Sequence, residues 1–319
     1  HEPGHFEQLP NPNHWDIAMD APSPFDLDRD VSGQYVLAAE EFYYFGAQAI
    51  SLPESVRPAL PRGQSAHGKL SSVEQAERFI AFICFVWRAL MRIILSRKGF
   101  DSAAGGCPSP IFPNGRLLSL PIPDKSSPIA YSDLMFAEIN LGDLVVDLTG
   151  DTKRRQHFAH LDPDLHADAL PRLPGWKPLL GQTSSAQGHL SNQGVQIGDV
   201  FVFFGSFRPV EMTAEGWRFK STERARHVIW GWLQIGQIHR VDDMRSDELS
   251  WARYHPHFSY AQDPANTLYE AAEQLVLNGV RTGSPGAGVF THLDEQRVLT
   301  VPGSGAQTQW RLPAFFAPV

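Results

Sequence analysis

Cysteine is almost missing: Cys84 and Cys107 are the only two in 319 residues. Two thiols make neither a disulfide framework nor, by themselves, a structural zinc site. A reducing, cytoplasmic setting is therefore expected. Surplus positive charge is missing too. The formal charge is −8, which argues against a broadly basic nucleic-acid coat but leaves room for a local basic site. One long apolar run exists, 79–95, and it holds Arg88 and Arg92, so no membrane span is expected. The stretch HEPGHFEQ is polar and acidic, unlike a signal peptide. Also absent are a Walker loop, a nucleophile elbow, a zinc-deaminase His-x-Glu with Cys-x-x-Cys, and a dinucleotide fingerprint.

What is present is an ordinary globular composition, 42% hydrophobic and 19% charged. Its 26 glycines and 25 prolines favour turns and β structure over long helices. The length allows two domains or one large one. Residues 1–34 read as a loosely ordered polar segment, although His1, His5 and His14 lie near acids. A strand is expected at 35–37 and an aromatic strand and turn at FYYFG, 42–46. A helix is expected over 71–90, with Ser71 or Ser72 as N-cap and Phe79, Ile80, Ile83, Val86, Trp87 and Leu90 on one face.

A strand at 91–96 then delivers Ser96, Arg97, Lys98, Asp101 and Ser102 before the flexible Gly105-Gly106 pair. An apolar run follows at 117–122, then a short helix at 131–140 and a strand at 143–148. Residues 149–193 show little periodicity. Strands are expected at 200–204, 226–236, 266–270, 287–290 and 297–301, and the tail packs through Trp310, Phe315 and Phe316. The fold class is α+β and β-rich: a small barrel or a twisted mixed sheet with a few helices.

The sharpest candidate constellation is His160-Leu-Asp162-Pro-Asp164-Leu-His166. In an extended chain these polar side chains share one face. They suit general acid–base chemistry, or a divalent Mg²⁺ or Mn²⁺ ion with Asp147 and Asp151 as further ligands. The competing reading is turn chemistry around Pro163. Arg97 and Lys98, with Ser102 and the glycines, suit a phosphate, while Asp101 can act in catalysis or simply neutralise a cation. Gln182, Gln187 and His189 suit a base edge or ordinary loop bonding. His255 and His257 can join the pocket or satisfy buried backbone. Trp230 and Trp232 read as core before they read as base-stacking platforms. Cys107 has no neighbouring histidine to mark a thiolate.

The run SRKGFDSAAGGCPSPIFPNGRLLSLPIPD (96–124), with HLDPDL (160–165), GQTSSAQGHL (181–190), GDVFVFFGSFR (198–208) and RHVIWGWLQIGQI (226–238), resembles the nucleotide modification associated domain, type three. The likeness runs from Met91 to about Tyr269, within a domain taken as 91–319, and Met91 is a plausible former start. The resemblance implies a phage or bacterial context beside DNA-base-modifying enzymes. Residues 33–54, with FYYFG and then RGQSAH (62–67), resemble the back half of the type-two domain, so 1–90 is expected to be a partial domain that packs on another surface. The Gly198-Asp199 strand start and the Trp/Gly-rich strand after it are similar to the small barrels of the PUA-like group.

Two functions follow from these expectations. One is an enzyme acting on nucleotides or DNA bases, with phosphate on Arg97 and Lys98 and acid–base or metal chemistry at His160, Asp162 and Asp164. The other is a non-catalytic PUA-like module that binds a modified base. A structural fragment of a larger assembly, or a homo-oligomer, is a weaker third. Convergence of Arg97, Asp101, Asp162 and His189 in one cleft would favour the enzyme. A cleft lined by Trp230 or Trp232, with the carboxylates facing solvent, would favour the binding module.

Overall fold

The computed structural model describes residues 91–313 apart from 246, 261 and 262, together with the strands Tyr35–Ala38 (β1) and Phe42–Phe45 (β2). The expected helix over 71–90, Cys84, the segment 1–34, and Phe315 and Phe316 lie outside the described residues. β1 and β2 pair antiparallel, and β2 continues antiparallel onto Ile93–Arg97 (β3).

The remaining strands are Ser109–Ile111 (β4), Met135–Phe136 (β5), Ile139–Asn140 (β6), Leu179–Gln182 (β7), Val200–Thr213 (β8), Gly216–Phe219 (β9), Arg226–Arg240 (β10), Thr267–Ala271 (β11), Gln274–Leu277 (β12), Val280–Pro285 (β13) and Ala287–Val289 (β14). Ten of the fourteen strands form one sheet, ordered β1-β2-β3-β8-β10-β11-β7, with β4 and β9 on β8 and β14 on β10. β3 and β4 run parallel to β8 and the other pairs in that sheet are antiparallel. The sheet is mixed and twisted. Among the described residues it does not close, so of the two expected architectures the open sheet is the one adopted.

The long strands form where the sequence concentrates β-branched and aromatic residues. Alternation along β8 sends Phe201 and Phe203 into a core with Trp230, Tyr269 and Leu190, and Phe204 into a smaller one with Leu95, Ile229 and Trp310. A third core lies under the irregular segments, around Phe100, Tyr131, Leu144 and Val145.

Several expected elements differ. The run at 143–148 is not a strand but part of a helix, Leu141–Thr149 (α1). Its buried Leu141, Leu144, Val145 and Leu148 follow helical spacing, Asn140 caps its start, and Gly150 ends it at φ 69°. The expected helix at 131–140 is one 3₁₀ turn, Tyr131–Asp133, followed by the β5–β6 ribbon. The runs at 117–122 and 297–301 make only isolated bridges. The apparently irregular 181–190 contains the end of β7 and a second helix, Ser184–Asn192 (α2).

Candidate functional site

β3 ends by separating its two cations. Successive strand side chains point to opposite faces, so Arg97 follows Leu95 towards the Trp310 core and Lys98 goes the other way. Arg97 pairs with Asp101 at 3.4 Å. Asp101 also accepts from the Ala103 and Ala104 amides at 2.7 and 2.6 Å, so it caps its own turn. Lys98 Nζ lies 2.9 Å from Asp162 Oδ2. The single phosphate fork expected from Arg97 and Lys98 is therefore not formed.

Asp162 is the centre of a buried cluster. Its side chain has no solvent exposure. Oδ1 accepts from the Gly181 amide of β7 at 2.6 Å. His160 Nε2 lies 3.7 Å from Oδ2, and His255 Nε2 lies 3.5 Å from Oδ1. The rings of His160 and His257 are 5.4 Å apart, as are those of His255 and His257. Gly181 makes the close approach possible: a Cβ there would sit 2.2 Å from the His257 ring.

A further layer orients the imidazoles. His160 Nδ1 donates to Asp124 Oδ2 at 2.8 Å, and the Tyr260 hydroxyl donates to the same oxygen at 2.9 Å. Asn266 Nδ2 donates to the His257 carbonyl at 2.7 Å, which turns its Oδ1 towards His257 Nδ1 at 2.8 Å. His257 Nδ1 therefore carries the proton and Nε2 keeps its lone pair. His255 caps the 3₁₀ turn Pro256–Ser259, its Nδ1 accepting from the His257 amide at 3.4 Å.

Electrostatics follow from this packing. Burial raises the Asp162 carboxyl, but Lys98 and the facing His160 and His255 outweigh it and hold the group well below the usual range. Burial lowers His160, yet Asp124 and Asp162 bring it above its ordinary value. Burial pushes His257 down to about 3. Asp124 falls to about 2, its burial outweighed by bonds from His160, Ser126 and Tyr260.

The other expected site residues lie elsewhere. Asp164 is held by Arg172 through two bonds of 2.8 and 2.6 Å, by the Tyr254 hydroxyl at 2.5 Å and by Trp176 Nε1 at 3.3 Å. It takes no part in the cluster. His166 packs edge-on against Phe136. The segment 160–166 is not a strand, and its polar side chains do not share a face.

Gln182 is buried on the face of β7 opposite Gly181, and His189 sits on α2. Asp147 instead accepts from the Trp217 amide at 2.9 Å. Ser102 lines a separate open cavity of about 680 Å³, bordered by Cys107, Arg224 and Arg226. Burial raises the Cys107 thiol to about 11, so it is not a thiolate. Trp230 is core, against Phe203. Asp124, Tyr260 and Asn266 escaped notice in the sequence because a PDK turn, an isolated tyrosine and an NTLYE strand start carry no signal of what they will meet.

No curated protein and no solved structure matches the chain. The family model described as nucleotide modification associated domain 3 matches residues 92–319, beyond the run that carries the type-two likeness. With a mixed sheet holding one buried Asp–His cluster, and with that match covering more than half of its length, the chain belongs to the nucleotide modification associated domain 3 family.

Proposed function

We propose that the protein is an enzyme that modifies a nucleobase or nucleotide, with Lys98, His160, Asp162 and His257 as its reaction centre. One observation carries the proposal. Ionisable groups from the end of β3, the 160–162 segment and the 255–257 turn meet around a carboxylate with no solvent exposure: Lys98, the residue after that strand, with His160, His255 and His257. A charge so buried costs several kcal/mol to desolvate, roughly, even when paired, and a fold has no need of it for packing. Strongly perturbed groups gathered in this way are the usual mark of chemistry.

Within the centre, Asp162 is the fixed anion, since a carboxylate held so acidic is a poor base. His160, backed by Asp124, is the group that takes and returns a proton. Lys98 is the cation that a phosphate or a developing negative charge would meet. Asp164 and Asp101 act on structure. Nucleotide or DNA as substrate, neighbouring base-modifying enzymes as partners, a cytoplasmic site and a partial type-two domain at 1–90 belong to the same proposal. Arg97 and Asp101 pair in their own turn and do not converge on Asp162 as the enzyme reading expected; against the PUA-like alternative stand Trp230, packed inside the core, and Asp162, which does not face solvent, while Trp232 packs on Phe290.

The test is mass spectrometry of nucleosides from DNA of a host expressing the wild-type chain or Asp162→Asn. A modified nucleoside present with the first and lost with the second is expected. An unchanged nucleoside profile in both would sink the proposal. Asn is chosen over Ala because Asp162→Ala strands Lys98 and the Gly181 amide, at a cost of about 3 kcal/mol.

A further inference from the structure

We infer that His160, Asp162 and His257 form a binding site for one first-row transition-metal ion, with two imidazole nitrogens and one carboxylate oxygen as ligands. The inference rests on the cluster being the functional site and names its cofactor. One ligand atom from each residue lies within 4.8 Å of the other two, and all three residues are buried.

The tautomers are already set for ligation. Asp124 accepts only, so His160 Nδ1 holds the proton shared with it, and Nε2, 3.7 Å from Asp162, is the nitrogen that an ion would take in exchange for a proton. Asn266 fixes His257 in the same sense. A carboxylate behind one ligand histidine and an amide oxygen behind the other are the outer-layer partners that metal sites use to aim and strengthen imidazoles.

A second observation points the same way. His255 is fully buried, and its Nε2 makes no hydrogen bond. It is aimed at Asp162 Oδ1 from 3.5 Å. Its Nδ1 accepts from the His257 amide, so Nε2 is the protonated nitrogen, ready to steady the carboxylate once Oδ2 is turned to an ion.

The donor set selects the metal. Two neutral imidazoles and one carboxylate suit Zn²⁺, Fe²⁺, Co²⁺ or Mn²⁺ and are a poor match for Ca²⁺ or Mg²⁺, which take all-oxygen shells. The ligand set considered for Mg²⁺ or Mn²⁺ was His160, Asp162 and Asp164; the inferred one has His257 in place of Asp164. Three protein ligands leave coordination positions open for water or substrate, as catalytic sites do. With the ion on His160 Nε2, a metal-bound water takes over the proton-handling role.

Lys98 gives the inference its sharpest consequence. Its ammonium occupies the same oxygen, Asp162 Oδ2, that faces His160. Lys98 and the metal therefore compete, and Lys98 is partly exposed, so it has a way out.

The experiment is calorimetric titration of the metal-stripped full chain with Zn²⁺, Co²⁺, Mn²⁺ and Mg²⁺, with the Co²⁺ absorption bands as a signature of mixed nitrogen–oxygen coordination. One ion per chain is expected for the first two and none for Mg²⁺. His257→Gln and His160→Gln should each weaken binding at least ~100-fold. Asp124→Asn should weaken it about tenfold to 100-fold, and Lys98→Met should tighten it about tenfold. A wild-type chain that binds less than one ion, or binding that His257→Gln and His160→Gln leave unchanged, overturns the site. Binding weakened by Lys98→Met overturns the competition. Nucleoside modification by metal-stripped protein would end the metal inference and leave the proposed function standing; a bound metal without modification would do the reverse.

Discussion

Asp162 and Asp164 are two residues apart and chemically identical, yet they do different work. Asp162 meets histidines and one lysine. Asp164 meets Arg172, Tyr254 and Trp176, a clamp that ties the 160–166 segment to the turn before His255. Asp164→Ala is expected to cost about 3–5 kcal/mol, because it leaves a buried guanidinium without its carboxylate; urea unfolding of the variant against wild type measures it. The sequence carried His160 and Asp162 as candidates because their types and spacing are visible in HLDPDL, and Lys98 because it stands beside Arg97 in SRKGFD. It did not separate Asp162 from Asp164, because what distinguishes them comes from residues 8 to 93 positions away: Arg172 and Tyr254 for one, Gly181 and His255 for the other.

At the scale of elements, β8 and β10 were legible because runs such as VFVFF and VIWGW have no other good use. α1 was not, because LVV carries β propensity and only the Asn140 cap and Gly150 stop reveal the helix. The segment around Trp310 packs on the Phe204 core and also meets one buried histidine. Trp310 Nε1 donates to His227 Nδ1 at 2.9 Å, and burial, with Arg97 nearby, pushes His227 from 6.5 down to about 3. Between those values the unfolded chain binds a proton there that the folded chain refuses. The His227 contribution to stability is thus full above about pH 6.5 and declines as pH falls towards about 3, by at most about 1.4 kcal/mol per unit. Denaturant unfolding at pH 7, 5.5 and 4 should show this slope in wild type and a shallower one in His227→Gln. Equal slopes would mean that His227 is not the group titrating.

Across the whole molecule, β3 is an interior strand only because β2 lies against its outer side. Removing residues 1–90 leaves the backbone groups of Ile93–Arg97 as an open edge, the kind that templates pairing with another chain. A chain of 91–319 is expected to self-associate where the full chain does not, and light scattering at matched concentrations decides it. The sheet order that creates this dependence was not legible. Periodicity marks which residues form strands, but neighbours such as β3 and β8, about a hundred positions apart, are chosen by which faces must be buried together.

Gly181 has a use outside this one chain. Any side chain at that position would occupy the volume of the His257 ring, so the reaction centre depends on a missing methyl group as much as on any functional group. Within the family, the residue aligned with Gly181 becomes a one-letter diagnostic. A member bearing alanine or anything larger there is expected to lack this arrangement even if every histidine and aspartate is kept.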